Sequence, residues 1–342
     1  MQRNFILTDV MKTGYHTDLE AFIDLHTIEK QTFECTGEYY TLHSYDLDSY
    51  DRRLAVIDTR TVNKRLHSDQ FNDELKKRCD LLHSQGFHFI KANPWESLPN
   101  MEANEHYPII DIPHVKWVGG ISWFWFYMYR KHLGRKYTFD HTNKKYDFLY
   151  LNKTPRTHRI KLYDMLQSHN VLSNSLTSFH GHDGTSLPLE YELPGVTKYP
   201  YRGLDQDIFE KPYNDTKFSI VSETNDNSND IFMTEKIWKP IIAGHMFVVH
   251  GNPLYLQKLR EIGFKTFNNY FDESYDLTDN SLTRVEKITK LCLELKNCYW
   301  EDMYMLSKGI RKHNTELFFN KEKLSAEINK TLELFLEFVD GS

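Results

Sequence analysis

Between Phe218 and Gly263 short apolar runs alternate with segments of helical periodicity, and this alternation constrains the fold more than any other feature of the chain. Phe218 to Glu223 reads as a strand, Thr234 to Ala243 as a helix stopped by Gly244, and Met246 to His250 as a second strand. Asn252 and Pro253 then open a helix that closes at Gly263. Strand, helix, strand, helix in so short a span predicts a parallel sheet covered by helices. The same rhythm begins at Tyr146, with a strand over Asp147 to Asn152 and a helix opened by Pro155 that runs to about Ser168. Earlier, Leu54 to Asp58 and Phe87 to Lys91 read as strands. They flank a helical pattern from Ser68 to Ser84 that carries Phe71, Leu75, Cys79 and Leu82 and is closed by Gly86. From about Leu282 onward the pattern is almost entirely helical, through Val285, Ile288, Leu291 and Leu295.

A chain of 342 residues exceeds what one hydrophobic core usually serves. The expectation is an α/β protein of two Rossmann-like domains facing across a cleft, residues 1–140 and 141–310, with helices in 311–342 crossing back over the first. Hydrophobic residues at 40% and charged residues at 26% are globular composition, and no apolar stretch is long enough to span a bilayer. Met1 to Lys12 lacks the apolar core and cleavage site of a secretory signal, so a cytoplasmic setting is expected. Cys35, Cys79, Cys292 and Cys298 form no CxxC pair and read as buried thiols. A net charge of -6 without a long basic run encodes no general adhesion to polyanions. The aromatic run Ser122 to Tyr129 reads as core packing.

Ligands of open parallel sheets bind at the carboxyl ends of the strands, where helix N-termini present unpaired N–H groups and favour negative charge. Two elements place basic side chains there. One is Asp147-Phe-Leu-Tyr-Leu-Asn152-Lys-Thr-Pro-Arg156-Thr-His-Arg159; the other is Phe218 to Glu223, the polar loop Thr224 to Asp230, and Ile231-Phe232-Met-Thr234-Glu235-Lys236. A diphosphate requires several N–H donors and one or two cations, and the two elements supply both. A bare cation in the first turn of a helix opposes the helix dipole, and a bound phosphate at Lys236 would remove that cost.

Ser219-Ile-Val-Ser-Glu223 followed by Phe232-Met-Thr-Glu-Lys-Ile-Trp-Lys-Pro and by Ala243-Gly-His-Met-Phe-Val-Val-His-Gly-Asn-Pro253 resembles the donor-binding signature of the fucosyltransferase family of the GT-B fold. Leu149-Tyr-Leu-Asn152 with Arg159 beyond it is similar to that family's strand-Asn-loop-Arg element. The resemblance spans roughly residues 146–270. It implies that Arg159 and Lys236, in elements shared with Arg156 and Thr234, grip a diphosphate. Glu235 and Phe232 would lie beside the ribose or sugar, Glu223 would bond the sugar or orient the leaving group, and Asn152 would shape the pocket. The same arrangement is similar to transferases of large-genome viruses and phages, which brings hydroxymethylated DNA bases in beside glycans and lipid-linked sugars as acceptors and implies host cytoplasm for such a protein.

The implied activity is hexosyl or fucosyl transfer from a GDP- or UDP-linked donor, inverting, with no metal and no cofactor. The alternatives are a nucleotide-sugar epimerase on the same fold and a non-catalytic sugar- or nucleic-acid-binding protein. Inversion requires a base at the acceptor hydroxyl. The family's segment carrying that base is not recognisable in the first half, and Asp58 and Glu96, each at or after a predicted strand end, are the candidates. Asp46-Leu-Asp48 and Asp205-Gln-Asp207 have the Asp-x-Asp form that holds a divalent metal in another transferase fold, but neither follows a clear strand. His180-Gly-His182-Asp183 lacks ligand spacing and reads as a loop. A DNA acceptor would require a basic face assembled from Lys144, Lys145, Lys153, Arg156 and Lys161. Gly-x-Gly-x-x-Gly, the P-loop and Gly-x-Ser-x-Gly are absent, which removes the usual signatures of dinucleotide oxidoreductases, P-loop hydrolases and nucleophile-elbow hydrolases.

Overall fold

The computed structural model describes residues 3–9, 31–36, 52–58, 77, 80–92, 121–191, 207–226, 231, 233–328 and 330. The chain divides into two compact units, residues 1–123 with 325–342, and Phe124–Leu324. In the first unit β1 (Arg3–Asp9), β2 (Gln31–Thr36), β3 (Arg52–Asp58) and β4 (His88–Ala92) form a parallel sheet in the order β2-β1-β3-β4.

In the second unit β5 (Tyr146–Asn152), β6 (Ser175–Phe179), β7 (Thr216–Ser222) and β8 (Met246–His250) repeat that order as β6-β5-β7-β8, again all parallel. The connections leave β5 and β7 in opposite directions along the sheet, so a crevice opens at their carboxyl ends, the switch point where such sheets bind ligands. β7 and β8 are buried along nearly their whole length, as strands of a helix-covered parallel sheet are. Phe148, Tyr150, Phe218, Val248 and Met246 are fully buried.

The second unit begins before the expected boundary at 140. Helix α1 (Ile121–His132) carries the aromatic run, and from Phe124 it belongs to this core. The Trp125 ring stacks on Trp238 at 5.7 Å, meets Phe264 edge-on at 5.0 Å, and its Nε1 donates to the Phe318 carbonyl at 2.9 Å. The Trp238 ring lies on α4 (Glu235–Ile242), and α8 (Lys308–Phe318) covers it from the other side. Thr315 Oγ1 donates to Ile241 O at 2.9 Å and Arg311 Nη1 to Gly244 O at 3.3 Å. Residues 311–318 therefore lie within the second unit, where the large Trp238 face needs apolar cover, rather than crossing to the first as expected from residue 311.

Three other helices frame the site: α2 (Thr157–Ser168), α5 (Tyr255–Glu261) and α6 (Ser281–Lys296). The remaining α-helices with defined bounds among the described residues are α3 (Glu210–Asp215) and α7 (Trp300–Leu306). α4 ends as the sequence suggests, with Gly244 at φ +60°. α5 starts later than Asn252 and Pro253 imply, because the Asp276 carboxylate accepts from Leu256 N at 2.8 Å and Gln257 N at 3.0 Å and so caps the helix from outside. Gly181 is dictated by contact: a Cβ there would sit 2.5 Å from the Lys153 carbonyl, to which Gly181 N donates at 3.0 Å. The loops after β5 and β6 are joined at that point.

Half-buried His141 and buried His245 form no ion pair with a described carboxylate. Burial, then the Lys144 charge, holds His141 down at about 4. Burial pushes His245 well below the ordinary range as well, while Ser219 Oγ and Thr216 O satisfy its ring at 2.8 and 2.7 Å. The unfolded chain takes up protons at these groups near pH 6.5 and the folded chain resists, so it is the unfolded state that binds more protons there. Stability is expected to fall as pH drops from about 6.5 toward 4. Melting temperatures measured across that window should decline steadily, and a flat profile would contradict the neutral assignment.

Candidate functional site

The site is built around the residue that follows β7. Glu223 N donates to His250 O at 2.9 Å, which carries the β7–β8 ladder one residue further. The Glu223 side chain is fully buried. Its Oε1 accepts from Thr234 N at 3.1 Å and from the Tyr255 hydroxyl at 2.7 Å, and its Oε2 accepts from Thr234 Oγ1 at 2.6 Å. Thr234 is the N-cap of α4, so a strand-final carboxylate fixes the start of the helix that carries Glu235 and Lys236. The carboxylate for which the sequence implies a contact with the sugar or leaving group thus also anchors that helix.

Lys236 Nζ donates to Thr234 Oγ1 at 2.8 Å, Glu235 Oε1 at 2.9 Å and Thr224 Oγ1 at 3.4 Å, and lies 3.9 Å from Glu223 Oε2. Its side chain remains 24% exposed, against 13% for Glu235. Burial opposes the charge on Glu235, but Lys236 and Lys239 hold its carboxyl below the usual range.

Arg159 comes to the same residue from α2. Its Nε and Nη2 both donate to the Glu223 carbonyl, at 3.0 and 2.9 Å, and Nη1 reaches Thr154 O at 3.4 Å. The side chain is almost fully buried, and no described carboxylate forms an ion pair with it. A guanidinium carries five N–H donors, and these three contacts leave two, one on each Nη. Burial pulls its pKa below the ordinary value, against the pull of the Glu223 charge, so an added anion would be favoured. Arg156 is the N-cap residue of α2 and half-buried.

Around this core lies a set of buried polar groups of which sequence reasoning named Asn152 alone. His158 Nε2 donates to the Glu223 carbonyl at 3.0 Å and its Nδ1 lies 3.5 Å from Asp226 Oδ1. Ser281 Oγ donates to the Asp226 carboxylate, and the Arg284 guanidinium lies 3.8 Å from it and donates to the Asp226 carbonyl. His250, the last residue of β8, packs edge-on against His158 at 5.4 Å, with neither ring nitrogen hydrogen-bonded. Burial, then the His158 and Arg284 charges, keeps it neutral. Asn152, at the end of β5 beside the Tyr150 hydroxyl, is buried with no hydrogen bond of ordinary geometry at either amide atom. His158 sits within the quoted Arg156–Arg159 motif and His250 at a predicted strand end, so the switch-point rule could have singled out both. Nothing local marks Asp226, Tyr255 or Arg284.

Phe232, Glu96, Asp46, Asp48 and Asp205 lie outside the described residues. Asp58 ends β3, as expected, in the first unit. Asp207 pairs with Lys131 at 3.1 Å and Arg135 at 3.4 Å. His182 pairs with Asp164 at 3.0 Å, and Asp183 accepts from Tyr163 at 2.6 Å. Of the basic residues that a DNA acceptor would require, two lie before β5 and three after it. Lys144 is largely buried and donates to the Tyr213 and Asn214 carbonyls, Lys145 pairs with Asp215, and both precede β5, whereas Lys153, Arg156 and Lys161 follow it. A strand of that length separates its ends by about 20 Å.

Gly251 admits the Tyr255 ring: a Cβ at Gly251 would lie 2.8 Å from Tyr255 Cδ2. Gly251→Ala should therefore shift the ring and lower stability by about 1–3 kcal/mol. A melting temperature equal to that of the parent would show that the contact relaxes without cost.

No protein-family model matches the chain, and no curated protein does. Among solved structures the chain is similar to an alpha1,3-fucosyltransferase crystallised with GDP and to one with GDP-fucose, each at 10% identity and a TM-score of 0.43 over 97% of this chain and 91% and 92% of those chains. A further alpha1,3-fucosyltransferase structure is similar at 10% identity and a TM-score of 0.41, over 89% of this chain and 81% of that one. At these values no residue's role follows from the likeness.

Proposed function

We propose that the Phe124–Leu324 unit binds the diphosphate of a nucleotide-sugar donor and that the chain transfers the sugar to an acceptor hydroxyl. The observation that carries this reading is Arg159, a buried guanidinium with two N–H donors to spare and no described ion-pair partner, which meets Lys236 at Glu223 on the switch point of a parallel sheet. A diphosphate fits both requirements, bidentate donors and a second cation at a helix N-terminus. The resemblance of the Ser219 to Pro253 signature to fucosyltransferases supports a sugar on that diphosphate, GDP- or UDP-linked.

In the reaction, a base removes the proton of the acceptor hydroxyl as its oxygen attacks the anomeric carbon. The bond from that carbon to the diphosphate oxygen breaks, and the electron pair leaves with the diphosphate. Arg159 and Lys236 stabilise the charge that develops there, so leaving-group electrostatics do most of the work and no metal is called for. Asp58 and Glu96 are the proposed bases. The acceptor is proposed as a glycan hydroxyl, because the basic residues that DNA would require lie at opposite ends of β5.

Lys236→Ala and Arg159→Lys, the latter keeping the charge and losing the fork, should each reduce turnover by about a hundredfold with little change in melting temperature. Calorimetry with GDP, UDP and their sugars in the presence of a chelator identifies the donor class, and product analysis separates transfer from epimerisation. Undiminished turnover in both variants would overturn the assignment.

A further inference from the structure

We infer that Tyr255 is a positioning residue for the donor site: by donating to the buried Glu223 carboxylate it keeps that charge from capturing Lys236, and so leaves the lysine available to a bound diphosphate. This rests on the donor reading above. Tyr255 is itself 1% exposed and outside the Thr-Glu-Lys motif, and it points at the more deeply buried of the two carboxylates near the motif's cation, the other being Glu235 at 2.9 Å.

The geometry sets up a competition. Glu223 has two oxygens and three neutral donors, the backbone N and Oγ1 of Thr234 and the Tyr255 hydroxyl. Lys236 Nζ stands one step away, 3.9 Å from Oε2, and is held there by Thr234 Oγ1, the same hydroxyl that donates to Oε2. A buried carboxylate that loses a donor becomes under-satisfied, and the nearest replacement is the ammonium. Drawn from its pairing with Glu235 into a direct ion pair with the buried Glu223, Lys236 would be displaced inward, away from an incoming anion.

Two features suit Tyr255 to this task. Burial first, then the Glu223 charge, pushes its phenol well above the ordinary value, so the hydroxyl keeps its proton and always donates. The close approach of Gly251 to the ring fixes where that hydroxyl points. The Gly-Asn-Pro turn of the signature thereby acts on Lys236 through Tyr255 and Glu223, without contacting the donor.

The test is a double-mutant cycle with inorganic pyrophosphate as a base-free probe, its Kd read by calorimetry alongside melting temperature. Tyr255→Phe, which deletes the hydroxyl and keeps the ring, should weaken pyrophosphate binding by about five- to tenfold in the parent and by less than about twofold in a Lys236→Ala background. In a Glu223→Gln background, where the Glu223 charge no longer competes for the lysine, Tyr255→Phe should likewise have little effect on Kd. A merely structural Tyr255 would lower the melting temperature and leave Kd unchanged, or weaken Kd equally in all three backgrounds, and either result overturns the inference. If Lys236→Ala alone leaves pyrophosphate binding intact, the donor reading itself falls and takes this inference with it.

Discussion

Both ends of one residue hold the second unit's chemistry together. The Glu223 carbonyl gathers Arg159 and His158 from α2, and the Glu223 carboxylate gathers Thr234 and Tyr255 from the opposite side of the strand. A buried carboxylate is tolerated only when its oxygens are satisfied, and here the donors that satisfy it belong to the elements that must be placed. The cost of burying the charge thus becomes the force that fixes the start of α4, while the carbonyl of the same residue orients α2 over the strand ends. Because Glu223 also extends the β7–β8 ladder, the sheet transmits its position to both.

The buried histidines His158 and His250 are held below their ordinary pKa, chiefly by burial, and the one described acid behind them, Asp226, is already engaged by Ser281 and Arg284. Lys236 and Arg159 remain as the cations next to the strand ends. Both sit where backbone N–H groups of helix first turns already favour an anion, and the two effects add.

Much of the second unit was legible because its signals are local. Apolar runs bounded by Gly and Pro gave β8 residue for residue and placed the end of β5 at Asn152, and Gly244 marked the end of α4 where a left-handed residue is required. Thr234, read as the first helical residue, is the N-cap of α4. Boundaries drawn from composition were poorer. The aromatic helix α1 and residues 311–318 join the second unit because Trp238 needs cover from both, and nothing in either segment's own pattern names its partner. The start of α5 was misplaced because its cap is Asp276, which lies after the helix in the chain.

Sequence alone determined the parallel α/β character of this chain and the identity of the charged residues, Arg159, Glu235 and Lys236, that stand at the carboxyl ends of β5 and β7. Hydrophobic period, turn chemistry and capping are written in consecutive residues, so one chain suffices to read them. Tertiary structure decided which of those charges are spent and which remain. Glu223 finds its partners 11, 32 and 64 residues away, at Thr234, Tyr255 and Arg159. Whether a buried carboxylate binds a ligand or anchors a helix depends on donors that only folding brings within 3 Å of it.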